Sequence, residues 1–415
     1  MESKRAQNPL LNILRFICIM HLFFYHYFQH LFESSVLKYF ISSGYYSTSI
    51  FFILSGFLLQ RIYSSRLDTK AGRNAFWIAR FSRSYPLYLL TILFYVALDV
   101  VGKSQESIPY VLTNLFISTF LLQAFVPIKD VVFLFNYEAW SLSALYFFYF
   151  LFPLILGKIN RLESYKTHRL IPVFWIIYML PPVITILTGF SENMTAFLLV
   201  TRNPVFRVPQ FILGMLLARL YDDIKQTDFY SSLANHKLMI AGINILIVSV
   251  AYFLPPMVSR SGMLLPFQAI LILSLMENGK SRLNDRVASF FNLLGNCALS
   301  FFLINSSVME IVYKVVFLFD LGTVKHGLHI DKFSFSEIAN SFSYFDWKFV
   351  HIPWFYCILI SVMMVLLALL VQKYFVIPVS DNIKLIYSTG SLKIGLRNKP
   401  ASASSVLSIK ETEKE

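Results

Sequence analysis

Charged residues are scarce in this sequence, and their scarcity excludes most soluble folds. Lysine, arginine, aspartate and glutamate make up 14% of the 415 residues, whereas a soluble globular domain has roughly 25%. Cysteine is also rare, and Cys18, Cys297 and Cys357 all lie inside apolar segments. We therefore expect neither a disulfide framework nor a metal site.

Hydrophobic residues, in contrast, make up 56% of the chain, and aromatic residues 17%. Apolar runs of about 20 residues recur along its length, and such runs are long enough to cross a bilayer as helices. We predict an all-α, polytopic integral membrane protein. The net charge of +13 resides mainly between the apolar runs, as is typical of cytoplasmic loops rather than of nucleic-acid binding.

The apolar segments and the loop charges together predict a topology. Basic clusters place the loops 61–83, 158–169 and 280–286 and the C-terminal tail in the cytoplasm. The candidate segments are 10–32, 45–62, 85–102, 110–127, 140–157, 170–189, 208–221, 238–255, 262–276, 289–308 and 352–377.

One of these segments does not fit a complete crossing. Three apolar segments lie between residues 84 and 158, where the loop charges require an even number. The segment 110–126 is unusually polar, and non-spanning backbone at membrane depth is tolerated where it lines a protein cavity. We predict about ten transmembrane helices plus one re-entrant or interfacial segment, with both termini cytoplasmic.

The sequence predicts a single membrane-embedded domain over residues 1–380. Residues 381–415 form a cytoplasmic tail, expected to be disordered from about residue 398 because serine, lysine and glutamate are frequent there. Lys4 and Arg5 precede a long apolar run without a small-residue cleavage site, so we expect this run to be retained as the first span. The extracytoplasmic loop 320–351 fits a folded lid or a solvated loop equally well.

Two ionisable residues, Arg15 and His26, lie in the first apolar segment. Eleven residues of helix rotate through about 1100°, so the two side chains share one face about 16 Å apart. Because ionisable groups in hydrocarbon are costly, we predict a polar cavity beside this helix; the alternative is that both side chains reach the membrane interfaces. His26 has the chemistry of a general base, while His21, about 240° from the Arg15 face, is expected to be a packing residue.

A second polar cluster is the run Arg80-Phe-Ser-Arg83-Ser-Tyr85-Pro86. Arginines three residues apart share a helical face, and guanidinium groups bind phosphates bidentately. The cluster therefore predicts either an anion-binding clamp at the cytoplasmic surface or an ordinary basic anchor that contacts lipid head groups.

Further sequence blocks follow in a fixed order: Ser49-Ile-Phe-Phe-Ile-Leu-Ser-Gly56-Phe-Leu, Trp140-Ser-Leu-Ser143, Arg207-Val-Pro-Gln-Phe211-Ile-Leu-Gly214, and Leu294-Gly295 with Phe302-Leu303. Together with the two clusters above, they resemble the motifs of the acyltransferase type 3 family over about residues 9–380. These membrane O-acyltransferases have about ten helices and move acyl groups, usually acetyl, onto glycans and similar acceptors.

The resemblance implies acyl-CoA, usually acetyl-CoA, as a donor bound from the cytoplasm. The implied acceptor is a glycan or lipid-linked sugar at a plasma membrane, chiefly a bacterial inner membrane. It implies catalytic roles for His26 and Arg15 and donor binding by Arg80, Arg83 and Tyr85. Possible substrate-binding residues are Trp140, Ser141, Ser143, Arg207 and Asn305.

Two positions depart from the family pattern. Leu145 stands where the family usually has glutamate, and Asn305 stands where it usually has histidine. Neither side chain can carry proton chemistry, although Asn305 can still donate and accept hydrogen bonds. Three functions stay open: an O-acyltransferase, a non-catalytic protein on the same scaffold, and a transporter or flippase of a small anion or lipid-linked sugar.

Overall fold

The computed structural model describes residues 8–33, 35–102, 108–254, 262–276, 283–323 and 354–389, and these are helical with no strand. Most of the predicted loop 320–351, Lys4, Arg5 and the predicted disordered tail lie outside these ranges. The helices of eight residues or more are Pro9–Tyr27, Tyr46–Tyr63, Lys70–Gly102, Ile108–Thr119, Trp140–Asn160, Ser164–Leu187, Met194–Arg202, Pro204–Ile224, Asp228–Asn235, Lys237–Val250, Leu265–Ser274, Asp285–Thr323, Trp354–Val371 and Ile377–Thr389.

Shorter helical segments connect some of these helices. The α-helical turns are Leu37–Ile41 and Lys129–Val132, and a π-helical segment, Gln372–Val376, joins the last two long helices. The 3-10 turns are Gln29–Phe32, Gln123–Phe125, Phe190–Glu192 and Ala251–Phe253.

Several of the described helices are suited to a membrane. Five are long and apolar enough to cross one: Pro9–Tyr27, Trp140–Asn160, Ser164–Leu187, Asp285–Val316 and Phe355–Ser388. The helices Asp228–Asn235 and Lys237–Phe253 meet at an angle of 67°, and if this pair is one span, the described helices include up to six candidate spans. A multi-pass helical protein is therefore supported, whereas the predicted count of about ten spans is not confirmed.

Fewer helices pass the length and hydropathy criterion than the sequence predicts as spans, and this has a physical reason. Tyr46–Tyr63 and Pro204–Ile224 have 18 and 21 residues, enough to approach the thickness of a bilayer. Both carry polar side chains that lower their hydropathy, and many of these are buried against neighbouring helices, such as Gln60 and Gln210. A criterion of length and hydropathy therefore leaves out helices whose polar side chains are buried against protein.

The segment predicted not to span the membrane is short in the structure. Its helix, Ile108–Thr119, has 12 residues and is about 18 Å long, whereas a bilayer core is about 30 Å thick. The chain turns at Leu121, which has a φ of 57°. The hydroxyl of Tyr88 donates to the Ser118 carbonyl at 2.8 Å, which holds this turn against the Lys70–Gly102 helix.

Aromatic packing joins the first helix to the Asp285–Thr323 helix. The ring of Phe23 lies edge-to-face with those of Phe28 and Phe301, at centroid distances of 5.3 and 5.2 Å. All three rings are fully buried, and edge-to-face pairs at this distance are favourable. This cluster fixes the end of the first helix on which His26 lies.

Close helix contacts explain three glycines of the sequence blocks. A Cβ atom on Gly56 would lie 2.0 Å from the Phe211 carbonyl oxygen, and one on Gly214 would lie 2.0 Å from that of Ile53. A Cβ atom on Gly295 would lie 2.7 Å from the carbonyl oxygen of Asn12. Small residues allow helix backbones to approach this closely.

We expect Gly214→Ala to destabilise the protein by about 1–3 kcal/mol or more, because the added methyl group forces two packed helices apart. The measurement is the thermal midpoint and monodisperse yield of detergent-purified protein. Gly157→Ala is the control, since a Cβ atom at that position would have no heavy atom within 4 Å apart from the adjacent backbone of its own helix. Equal midpoints for the two variants would contradict the close packing.

Candidate active site

His26 lies in the last turn of the first helix, beside a carboxyl group that the sequence analysis did not single out. Its Nε2 atom is 3.9 Å from Oε1 of Glu138, and the two side chains are 15% and 3% exposed. Asn305 donates from Nδ2 to Oε2 of Glu138 at 3.0 Å. We call these three residues, His26, Glu138 and Asn305, the polar triad.

Hydrogen bonds in the turn before the Trp140–Asn160 helix position Glu138. The hydroxyl of Ser141 donates to the Glu138 carbonyl at 3.0 Å, and the Glu138 N–H donates to Oδ1 of Asn136 at 3.3 Å. Nδ2 of Asn136 then donates to the Leu303 carbonyl at 3.2 Å. The turn is thereby tied to the helix that carries Asn305.

The Glu138 carboxyl group lies outside the Trp140–Asn160 helix and has an altered acidity. Burial raises its pKa to about 8, and the hydrogen bond from Asn305 opposes the rise. Its Oε1 atom has no hydrogen-bond partner in the part of the chain that the structure describes. Buried groups with such shifted acidity are typical of functional sites, and this one can hold a proton near neutral pH beside the imidazole.

A small cleft with room for about one water molecule opens onto His26 and Glu138. Its wall is rich in aromatic rings and includes two residues that the sequence analysis proposed for substrate binding, Trp140 and Ser141. It also includes a positive charge, Arg202, that the sequence analysis missed. The remaining lining residues are Leu22, Tyr25, Tyr45, Thr48 and Phe302.

Three arginines converge near the other end of the first helix. Arg15 lies within electrostatic range of Arg83, of the Tyr149 hydroxyl and of Arg80. Arg80 donates from Nη2 to the Tyr63 hydroxyl at 3.0 Å. Like charges held together repel one another unless an anion lies between them. The structure places Arg80 and Arg83 within electrostatic range of Arg15, and we call these three residues the arginine cluster.

Three of the predicted site residues make contacts typical of structural residues instead. The Tyr85 hydroxyl donates to the Thr119 carbonyl at 2.8 Å, and the Ser143 hydroxyl donates to the Leu121 carbonyl. Arg207 is buried and donates to the Thr201 carbonyl through Nε at 2.8 Å. None of the three lines the cleft. Their contacts favour a role in holding the turns around the site.

Two other positions clarify the sequence motifs. His21 is a packing residue, as predicted: its ring stacks on Phe40 with centroids 4.1 Å apart, and Nδ1 lies 3.0 Å from the Ser47 hydroxyl. Leu145 packs against a hydrophobic cluster that contains Phe148. The carboxyl group beside His26 belongs to Glu138, seven positions before Leu145.

The position of Glu138 in the sequence carries a recognisable signal. Glu138 is an isolated carboxylate two residues before Trp140, in the turn that precedes an apolar helix. Arg202 carried a similar signal, because it stands just before Asn203 and Pro204, a pair typical of a helix start. Both residues lie at helix ends, and the folded chain brings both ends to the cleft.

The fold and this site together define a class: a helical membrane protein with a histidine–carboxyl pair at one end of a helix and an arginine cluster near the other. The chain belongs to an acyltransferase family, since residues 8–373 match the family model described as "Acyltransferase domain". This match confirms the family resemblance of the sequence motifs.

The chain is also similar to the acyltransferase MdmB of Streptomyces mycarofaciens. The two are 30% identical over 161 residues, which cover 37% of this chain and 40% of that relative. The match thus spans less than half of the relative's length. No solved structure matches the chain.

Proposed function

We propose that this protein is a membrane-bound O-acyltransferase. It moves an acyl group, in the first instance acetyl, from cytoplasmic acyl-CoA to a hydroxyl of an extracytoplasmic or lipid-linked glycan. It lies in the plasma membrane, a bacterial inner membrane, with both termini cytoplasmic. The observation that carries the proposal is the buried Glu138 carboxyl group 3.9 Å from His26, which lies on the helix that also carries Arg15.

The arginine cluster is the proposed donor site. Coenzyme A carries several phosphate charges, and guanidinium groups bind phosphates through paired hydrogen bonds. Arg15 and His26 are separated by about 16 Å along one helix. A donor held by its phosphates at the cluster can thus extend its thioester towards the polar triad.

The polar triad is the proposed catalytic site. The acceptor oxygen bonds to the thioester carbon while its proton passes to His26, and the carbonyl electron pair moves onto oxygen. On collapse of this intermediate the carbon–sulfur bond breaks, and the leaving thiolate takes the proton from His26. In its ionised form Glu138 stabilises the transient imidazolium by its negative charge, and Asn305 holds Glu138 in place.

The aromatic wall of the cleft supports a sugar as the acceptor. Tyr25, Tyr45 and Trp140 line it. Such rings present an apolar face together with a polar edge, which suits the mixed surface of a sugar ring. The hydroxyl to be acylated would then lie beside His26.

The non-catalytic alternative depended on Leu145 and Asn305. In the structure Asn305 donates to Glu138 at 3.0 Å, so it contributes to a complete histidine–carboxyl pair. The departure at Leu145 is offset because Glu138 supplies a carboxyl group from another position. These contacts favour catalysis over loss of function.

Glycan mass spectrometry of cells with and without this gene tests the proposed function. We expect glycans from cells that carry the gene to be heavier by the mass of one acyl group than glycans from cells without it. For the proposed donor, acetyl-CoA, this group is acetyl. The control is the same gene with His26→Ala, expressed at equal level in the membrane. An unchanged glycan profile would refute the transfer, and sugar export without consumption of coenzyme A thioester would indicate a flippase instead.

A further inference from the structure

Arg202 is a buried positive charge in the wall of the cleft that also holds His26 and Glu138. It is the last residue of the Met194–Arg202 helix, and its side chain is 7% exposed. Cations are favoured at a helix C-terminus because the backbone dipole is negative there. The position therefore supports a charged guanidinium even though it is buried.

The Trp140 ring fixes the orientation of Arg202. The guanidinium carbon lies 4.3 Å from the Trp140 ring centroid, within the range of a cation–π interaction. Both residues line the same cleft as His26 and Glu138. The guanidinium is thus held in the wall of the cavity in which the acyl group would react.

The neighbouring Arg207 serves the fold rather than the cleft. It donates to the Thr201 carbonyl and to the Tyr178 hydroxyl, and it thereby anchors the end of the helix that carries Arg202. Of these two buried arginines, Arg202 is the one that lines the cleft.

The proposed reaction needs a group of this kind. Attack on the thioester places a negative charge on the carbonyl oxygen, and donors aimed at that charge supply a large part of catalysis in enclosed sites. The wall of the cleft that holds His26 and Glu138 also includes Arg202. The guanidinium of Arg202 is a charged, planar donor on the same wall.

We propose that Arg202 stabilises the oxyanion formed during acyl transfer, with the guanidinium N–H groups donating to the former carbonyl oxygen. This inference rests on the proposed function. It assigns Arg202 to the reacting acyl group and not to a charge on the acceptor, so neutral acceptors should depend on Arg202 as strongly as anionic ones.

Steady-state kinetics of the purified full-length protein test this assignment. The donor is acetyl-CoA, and the acceptors are dodecyl glucoside, which is neutral, and dodecyl glucuronide, which is anionic. Release of the coenzyme A thiol gives the rate, and mass spectrometry confirms the ester. We expect Arg202→Gln to lower kcat by about 10²–10³-fold for both acceptors, with acceptor KM changing by less than about threefold.

Two further variants separate catalysis from folding. Arg202→Lys keeps the charge beside Trp140 but loses the planar fork, so we expect normal thermal stability with a kcat between those of the unaltered protein and Arg202→Gln. Arg219→Gln removes an arginine that donates to the carbonyls of Asn160 and Leu162. We expect its kcat to stay near that of the unaltered protein.

Three outcomes would overturn the assignment. Unchanged kcat in Arg202→Gln would remove Arg202 from the reaction. A raised KM for dodecyl glucuronide alone would instead make Arg202 a binding site for anionic acceptors. If the unaltered protein transfers no acyl group to either glycoside or to cellular glycans, the proposed function fails, and this inference fails with it.

Discussion

Replacing His26 with alanine is expected to lower acyl transfer by about 10²–10⁴-fold, the contribution typical of a well-placed general base. The imidazole lies 3.9 Å from Glu138 and is 15% exposed, so its removal takes away the proton acceptor together with an aromatic contact to the Tyr137 ring. The measurement is thiol release from acetyl-CoA with the glycan-bearing acceptor, at saturating donor.

His236→Ala is the matched control for this experiment. His236 is an exposed histidine that precedes the Lys237–Val250 helix, away from the residues that line the cleft. We expect normal activity in this variant and equal membrane insertion in both. Full activity of His26→Ala in protein with a normal elution profile would exclude the proposed mechanism.

Glu138→Gln is expected to have the second large effect, again about 10²–10⁴-fold, because a neutral amide cannot stabilise the imidazolium that forms during the reaction. Glutamine keeps the size of the side chain, so the hydrogen bond with Asn305 can be retained. The quantity to measure is kcat, since loss of the charge that stabilises the imidazolium should affect the reaction more than acceptor binding.

A pH profile distinguishes this electrostatic role from a structural one. The pKa of Glu138 is raised by burial to about 8, so its carboxyl group is neutral below that pH and ionised above it. We expect the rate of the unaltered protein to increase as pH rises through about 8, because only the ionised carboxylate stabilises the imidazolium. Glu138→Gln should lack this increase. If the rate of Glu138→Gln still increases through the same pH, the titration belongs to another group.

Family membership and membrane class were accessible from sequence because both depend on local patterns. Long apolar runs predict helices whatever their neighbours are, and the spacing of Arg15 and His26 follows from helix geometry alone. Gly56 and Gly214 belong to blocks that the sequence shows as motifs. The reason for these glycines is a helix crossing in which an added Cβ atom would lie 2.0 Å from a carbonyl oxygen, and this crossing is seen only in the folded chain.

The number of spans was harder to predict, since hydropathy alone does not show whether a polar helix is surrounded by protein. Tyr46–Tyr63 and Pro204–Ile224 pack against each other through Gly56 and Gly214, and a buried position accepts polar side chains that lipid would not. Loop charges constrain the topology without showing which segments contact lipid.

The sequence by itself determined that this chain is a helical membrane protein of an acyltransferase family, with Arg15 and His26 on one helix. Tertiary structure alone decided which partners those residues meet. Glu138 reaches His26 across 112 positions of sequence, and Asn305 reaches Glu138 across 167. Such contacts depend on how separate helices pack, and no local period or motif spacing encodes the distance between side chains on different helices.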